Sequence, residues 1–303
     1  MAMATSKGPA RLKPQASRRH HQLEITVSMR LHTETQGPVT GYPVLCLHGH
    51  PGSGAAMSVF TDALAALGFR TYAPDLRGYG HSKTAYPFEM TCHLDDLEEL
   101  LARYGIKECL VLGWSLGGIL AMELALRRSD VVRGLILIGT AARPSGSHPP
   151  ISVRDNVMTG IAGLVNCLVP GWEGAIALGK QSLFRYLICN HTPTAYSYLA
   201  KAGAPATLRT SRHATDALTR AIQAGYNRLR DIKALTVPAL MLYGECDRHI
   251  SAKSSLETAK ALPKCDVYGY PNTAHLFPWE IPDKVNLDIQ RWLSKQKYVQ
   301  LST

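Results

Sequence analysis

The hydrophobic residues of this chain form short apolar runs that alternate with longer segments of helical periodicity. The apolar runs predict strands buried on both faces, and they lie at 44–47, 69–73, 109–113, 135–138, 239–243 and 265–270. A further segment, 23–31, alternates hydrophobic and polar residues, as a half-buried strand does. Helical spacing follows at 57–67, 91–103, 119–126, 252–262 and 282–297. This order predicts an α/β fold, in which a mostly parallel sheet is covered by helices on both faces.

The alternation of strands and helices stops in the middle of the chain. Residues 143–226 contain six prolines, and helical periodicity remains only at 182–188 and 215–224. We therefore predict a helical cap at 143–226, inserted into a core that comprises 23–142 and 227–303. Residues 1–22 are predicted to be a disordered basic tail.

The net charge of +10 does not predict a nucleic-acid partner. Five basic residues and no acid lie within residues 1–21, and the remaining excess is spread over the chain without forming a basic run. A cleaved organelle presequence is an alternative for this tail, although it has no clear amphipathic stripe. A secretory signal is disfavoured because no apolar region follows the charges.

The cysteine pattern favours a reducing compartment. The seven cysteines are odd in number and include no Cys-x-x-Cys pair, and Cys46 and Cys109 lie inside apolar runs. No apolar stretch is long enough to span a bilayer. We expect a soluble, cytoplasmic protein, and the sequence does not predict its oligomeric state.

One stretch combines a strand, a serine and a helix in the order of a nucleophile elbow. Gly113-Trp114-Ser115-Leu116-Gly117 follows the apolar run at 109–113 and precedes the helical segment at 119–126. Glycine two residues before and after Ser115 leaves space where strand and helix cross closely. The stretch predicts that Ser115 is a nucleophile. Trp114 beside it either packs in the core or lines a substrate pocket.

A serine hydroxyl needs a base, and the base needs an orienting group. Among twelve histidines, His275 is the best candidate base because it follows the last predicted strand. Asp247 follows the preceding strand and is the predicted orienting acid, with Glu245 as the rival. A structural ion pair is the alternative for Asp247. For the oxyanion hole we predict the backbone N–H groups of Leu116 and of His50, since Pro51 has none to donate.

Taken together, these motifs resemble the α/β-hydrolase superfamily. The resemblance covers about residues 23–296 and rests on five stretches, at 48–49, 75–82, 113–117, 244–247 and 274–275. It implies an eight-stranded, mostly parallel sheet with a helical cap. The elbow is similar to those of carboxylesterases, including the one that trims pimeloyl esters, and of enol-lactone hydrolases. His50 departs from the aromatic or aliphatic residue common at its position.

The predicted activity is hydrolysis of an ester, thioester or lactone of a small to medium apolar acid, through an acyl-enzyme on Ser115. Two catalytic alternatives use the same triad, namely carbon–carbon bond hydrolysis and acyl transfer or cyclisation in a biosynthetic pathway. A ligand-binding receptor without turnover is the alternative of another class. Epoxide hydrolases and haloalkane dehalogenases of this fold have aspartate at the elbow, so the serine disfavours them.

No cofactor and no metal are predicted. Residues 49–54 have the outer glycine spacing of a phosphate-binding loop, but Ala55-Ala56 replaces the required lysine and hydroxyl residue. His48 and His50 have no third ligand at suitable spacing. Asp75 and the glycines after it are interpreted as shaping a turn. A small molecule is the only partner that the sequence predicts.

Overall fold

A seven-stranded sheet forms the centre of the protein in a computed structural model that describes residues 28–298. The strands, in chain order, are β1 (Thr33–Gln36), β2 (Pro43–Leu47), β3 (Arg70–Pro74), β4 (Cys109–Trp114), β5 (Val132–Ile138), β6 (Ala239–Gly244) and β7 (Cys265–Tyr270). Their order across the sheet is β1-β3-β2-β4-β5-β6-β7. Only β1 is antiparallel to its neighbour, so the other six strands end at the same edge of the sheet.

Helices cover both faces of this sheet. The helices that flank the strands are α1 (Ser58–Ala66), α2 (Cys92–Arg103), α3 (Leu116–Arg127), α10 (Ala252–Ala261) and α12 (Pro282–Lys295). Successive residues of a strand point to opposite faces. In β4, Val111 therefore packs in the cluster with α2 and α3, whereas Leu110 and Leu112 pack in the cluster with α1 and α12. Both layers bury their apolar side chains, which explains the continuous apolar runs of the central strands.

Every regular element between β5 and β6 is helical. The α-helices among them are α4 (Val153–Leu168), α5 (Glu173–Lys180), α6 (Phe184–Leu187), α7 (Pro193–Tyr198), α8 (Ala204–Leu208) and α9 (Arg212–Gln223). The N–H of Leu276, after β7, donates to the carbonyl of Leu187, and the N–H of Ser211 donates to the carbonyl of Gly78, after β3. Both bonds join this helical segment to loops that follow strands. The segment thus lies over the edge where the parallel strands end.

The structure corrects two details of the predicted fold. The described residues form seven strands rather than eight. The first strand is Thr33–Gln36 and not 23–31: residues 28–31 are not in a strand, and the rest of that prediction, like the predicted tail, lies outside the described residues. Strand β1 alternates half-buried and exposed residues, so its position is set by pairing with β3 rather than by its own hydrophobicity. No helix within residues 28–298 is long and apolar enough to cross a membrane.

Candidate active site

Ser115 occupies the sharp turn between β4 and α3. Its φ of 55° lies in the left-handed region that side chains rarely adopt, and its side chain is only 7% exposed. The turn is fixed from the neighbouring strand, because the N–H of Ser115 donates to the carbonyl of Ile138 at 2.8 Å. The hydroxyl of Thr140 donates to the Ser115 carbonyl at 2.7 Å. A strained residue held by surrounding bonds is typical of a functional site.

The glycines on either side of Ser115 are required by close backbone crossings. A Cβ on Gly113 would lie 2.2 Å from the carbonyl oxygen of Gly117. A Cβ on Gly117 would lie 1.9 Å from the carbonyl oxygen of Leu47, at the end of β2. Any side chain at either position would therefore push the elbow apart, which explains the Gly-x-Ser-x-Gly spacing in physical terms.

Asp247 and His275 lie in the loops that follow β6 and β7, and they are hydrogen-bonded to each other. The distance between His275 Nδ1 and Asp247 Oδ2 is 2.7 Å, and both side chains are buried. The other oxygen, Oδ1, accepts the backbone N–H groups of His249 at 2.8 Å and Ile250 at 2.9 Å. A carboxylate only accepts, so Nδ1 is the donor and Nε2 remains to take up a proton.

Ser115 and His275 both lie beside the end of β5. Ser115 is bonded to Ile138, the last residue of that strand. A Cβ on the next residue, Gly139, would lie 3.5 Å from Nδ1 of His275. Ser115 and His275, which are 160 positions apart in the sequence (275 − 115), therefore lie beside two consecutive residues, Ile138 and Gly139. The structure therefore brings Ser115, Asp247 and His275 to the same edge of the sheet.

The loop after β2 runs directly against Ser115. A Cβ on Gly49 would lie 3.2 Å from Cβ of Ser115. His48 is buried and accepts the Leu76 N–H on Nε2 at 3.0 Å, and burial lowers the pKa of its imidazole to about 4. His50 Nδ1 lies 2.9 Å from the Tyr79 hydroxyl, and burial lowers its pKa to about 4 as well. Both imidazoles are therefore neutral at pH 7, so the loop adds no positive charge beside the serine.

A cavity of about 440 Å³ opens above the elbow. Its floor includes Ser115 and Leu116, and its walls include Ile119 and two apolar residues of α9, Leu218 and Ile222. Its polar lining includes three imidazoles, those of His50, His148 and His249. The cavity has the volume and the mixed lining of a small-molecule site.

The sequence is related to known hydrolases. A family model described as alpha/beta hydrolase fold matches residues 42–167. The chain is 29% identical over 253 residues to the pimeloyl-[acyl-carrier protein] methyl ester esterase of Vibrio atlanticus (strain LGP32), a match that covers 80% of this chain and 90% of that protein.

Solved structures agree with that relationship. A thermophilic esterase from Thermogutta terrifontis, with malate bound, superimposes with a TM-score of 0.65 at 26% identity, covering 88% of this chain and 93% of that one. All three comparisons indicate the α/β-hydrolase superfamily. A meta-cleavage product hydrolase from Pseudomonas fluorescens IP01 is similar in structure, with a TM-score of 0.63 at 21% identity. The match covers 88% of this chain and 94% of that one. At this identity, it shows only that the two proteins share a fold.

Two histidines of this α/β-hydrolase were missed by the sequence analysis: His249 adjoins His275, and His148 adjoins His249. The ring of His249 packs edge-on against His275, with centroids 4.6 Å apart, and the ring of His148 stacks on His249 at 5.9 Å. Burial, followed by the charge of His275, lowers the pKa of His249 to about 3. The spacing Asp247-x-His249 was the available signal, because a residue two positions after the acid remains in the same loop.

Glu280 was also missed, and its side chain accepts three backbone N–H groups. It lies in α11 (Phe277–Glu280) and is 6% exposed. Its Oε1 accepts the N–H of Ala274, and its Oε2 accepts the N–H groups of Cys189 and Asn190. Burial raises the pKa of this carboxyl above its usual value, while the three backbone bonds act in the opposite direction. The side chain thus joins the residue before His275 to the helical segment.

Trp114 packs away from the cavity. Its indole contacts Trp279 edge-on at 5.1 Å and Phe60 at 6.1 Å, and it is 4% exposed. It belongs to the hydrophobic cluster on the α1 and α12 face and is not among the residues that line the 440 Å³ cavity. This position favours the packing alternative over the pocket alternative for Trp114. Glu245, the rival acid, is exposed.

Proposed function

We propose that this α/β-hydrolase cleaves an ester, thioester or lactone of a small to medium acid through an acyl-enzyme on Ser115. The observation behind the proposal is the bond between His275 and Asp247 at the strand edge where Ser115 occupies the strained elbow. The similarity to esterases at 29% and 26% identity supports ester hydrolysis as the reaction class.

In the proposed reaction, His275 Nε2 takes the Ser115 proton as Oγ attacks the substrate carbonyl. Asp247 keeps the imidazole in the tautomer with its proton on Nδ1 and stabilises the imidazolium that forms. The backbone N–H groups of Leu116 and His50 hold the oxyanion, for which the start of α3 is suited because its first N–H groups have no helical partner. His275 then protonates the leaving group, and water releases the acid by the reverse sequence.

The cavity favours an apolar acyl chain. Ile119, Leu218 and Ile222 supply apolar walls, and the volume of about 440 Å³ lies at the smaller end of typical ligand sites. We propose that residues 143–226 act as the cap of this cavity, since α9 supplies one wall and His148 another part of the lining. The Vibrio relative is named for a pimeloyl methyl ester, so methyl esters of medium-chain acids are the first natural substrates to test.

The test is a series of p-nitrophenyl esters from acetate to laurate, assayed with the wild-type protein and with Ser115→Ala. We expect turnover that peaks at a short to medium chain and falls by about 10⁴-fold or more in the variant. Matching thermal unfolding curves would show that Ser115→Ala is folded.

Labelling with a fluorophosphonate tests whether Ser115 is a reactive nucleophile, independently of which reaction it catalyses. Labelling of wild-type Ser115 by a fluorophosphonate without turnover of any ester would contradict ester hydrolysis and favour carbon–carbon cleavage or acyl transfer. Neither labelling nor turnover would contradict the catalytic role and favour a ligand-binding protein.

A further inference from the structure

Two histidines from distant parts of the chain converge on one buried carboxylate, outside the site described above. His32 precedes β1, Asp75 follows β3, and His81 lies in the turn after it. His32 Nδ1 lies 3.3 Å from Asp75 Oδ2, and His81 Nδ1 lies 3.2 Å from the same oxygen. All three atoms are within 4.8 Å of one another. Among residues 28–298, this is the one group of three or more such side chains close enough to share a metal ion.

The distances match the edges of a tetrahedral zinc site. With zinc–nitrogen bonds of about 2.0–2.1 Å, two ligand atoms of such a site are about 3.3 Å apart. Both nitrogen–oxygen distances therefore already have the required length. The rings of His32 and His81 contact each other, with centroids 4.6 Å apart, and both are about half exposed, at 46% and 56%, so an ion can reach them from solvent.

The backbone holds the three residues in place without a metal. The N–H of Asp75 donates to the carbonyl of His32 at 2.8 Å, which continues the pairing of β1 with β3. The N–H of His32 donates to the Ser82 hydroxyl at 2.9 Å, and the N–H of His81 donates to Asp75 Oδ2 at 2.8 Å. Gly80 permits this close turn, because a Cβ there would lie 2.2 Å from Oδ2. Such pre-organisation reduces the entropy that metal binding would otherwise cost.

Asp75 Oδ2 has fewer acceptor sites than neighbouring nitrogen atoms. A carboxylate oxygen has two lone-pair sites, and the N–H of His81 already occupies one site on Oδ2. Two imidazole nitrogens then share the remaining site. Asp75 is 2% exposed, and its two carboxylate oxygens accept the backbone N–H groups of Gly54 and His81. The group thus presents one buried anion and two accessible nitrogen ligands.

We propose that His32, Asp75 and His81 bind one Zn²⁺ ion through Nδ1, Oδ2 and Nδ1, with water as the fourth ligand. Two imidazoles and one carboxylate are a donor set for zinc, whereas Mg²⁺ and Ca²⁺ select oxygen ligands. The half-exposed rings give the ion access from solvent. The sequence did not predict a metal, because the ligands are separated in number by 43 (75 − 32) and 6 (81 − 75) positions and follow no zinc motif.

The zinc site would also stabilise the loop beside Ser115. The other Asp75 oxygen, Oδ1, accepts the N–H of Gly54 at 2.7 Å, at the end of the loop that contains Gly49. The next residue, Leu76, donates its N–H to His48 in the same loop. An ion on Oδ2 would therefore fix a turn that is bonded twice to the 48–54 loop. This effect concerns stability and does not depend on the proposed activity.

The test is calorimetric titration of the full-length protein with ZnCl₂. All proteins would contain His20→Ala and His21→Ala, since adjacent histidines in the tail could bind zinc themselves. We compare this background with His32→Gln, His81→Gln and both together. Glutamine retains a hydrogen-bond donor toward Asp75 but is a poor zinc ligand, so it separates metal binding from hydrogen bonding. His213→Gln, in α9, is the matched control.

We expect one Zn²⁺ per chain, affinity lower by about 10–100-fold in each single variant, and no saturable binding in the double variant. Zinc should raise the unfolding temperature of the background protein but not of the double variant. A Co²⁺ spectrum without thiolate-to-metal charge transfer would exclude the exposed cysteines as ligands. Unchanged zinc affinity in the double variant, or a thiolate band, would overturn the proposal. Absence of binding to the background protein would also overturn it, whether or not Ser115-dependent turnover is found.

Discussion

The imidazole of His249 packs edge-on against that of His275, with centroids 4.6 Å apart and planes at 61°. The two residues also share Asp247, whose Oδ1 accepts the His249 N–H while its Oδ2 accepts Nδ1 of His275. Burial, followed by the charge of His275, lowers the pKa of His249 to about 3. A neutral ring therefore adjoins the proposed base at neutral pH, where a cation would oppose protonation of His275.

Charge at position 249 should control turnover. We expect His249→Gln, which is neutral, to lower kcat/KM by less than about tenfold, and His249→Lys to lower it by a further 10–100-fold. The physical reason is that a cation about 4–5 Å from the imidazolium costs up to about 4 kcal/mol at an effective dielectric constant of 20. Steady-state kinetics on one ester would measure both variants. Equal losses in the two would show that only the shape of His249 matters.

Asp247→Asn should lower kcat by about 10⁴-fold with little change in KM. Asparagine can donate to Nδ1 of His275, which favours the tautomer that cannot take the Ser115 proton. Glu245→Gln is the matched control, since Glu245 lies two residues away and is exposed. If Glu245→Gln lost more activity than Asp247→Asn, Glu245 would be the orienting acid. Kinetics of both purified variants would distinguish them.

Glu280→Gln should weaken both stability and turnover. Its two oxygens accept three backbone N–H groups, those of Cys189, Asn190 and Ala274, and glutamine has only one acceptor oxygen. We expect a loss of about 3 kcal/mol in the free energy of unfolding, because buried N–H groups would lose their charged partner. Denaturant unfolding and kcat of the same preparation test this. A stable variant with lower kcat would indicate that Glu280 acts through the position of His275 alone.

The buried His93 should make the protein sensitive to mild acid. Burial lowers the pKa of its imidazole to about 3, and its Nδ1 has no hydrogen-bond partner among residues 28–298. The unfolded chain takes up a proton near pH 6.5, whereas the native state does not. Stability is therefore complete above pH 6.5 and falls as the pH decreases toward 3, by about 1.4 kcal/mol per pH unit.

His93→Leu should remove this contribution. Between pH 8 and pH 5 we expect the variant to lose about 2 kcal/mol less stability than the wild-type protein. Urea unfolding at both pH values measures the difference, and His213→Leu in α9 serves as the control. If the free energy of unfolding fell equally with pH in the wild type and in His93→Leu, either His93 would be protonated in the native state or it would not contribute to acid unfolding.

Local sequence was sufficient for the central strands and for the elbow. The runs that correspond to β2, β4, β5 and β6 are continuously apolar because both faces of the sheet are covered. These strands could therefore be predicted without knowing which strands they pair with. Glycine is required at positions 113 and 117 because β4 and α3, which are consecutive in the chain, cross closely there. This requirement can also be read from the local sequence. Chain order then led to Asp247 and His275, because parallel strands end at one edge.

Tertiary structure decided what depends on elements that are distant in the chain. Strand β1 was misplaced because an exposed edge strand is defined by its partner β3 and not by its own hydrophobicity. Trp114 packs on the α1 and α12 face of the sheet rather than in the cavity. Its orientation depends on tertiary packing and could not be predicted from the local sequence. The contacts of His249, the bonds of Glu280 and the convergence of His32 with His81 on Asp75 arise where loops meet, and sequence periodicity contains no information about those meetings.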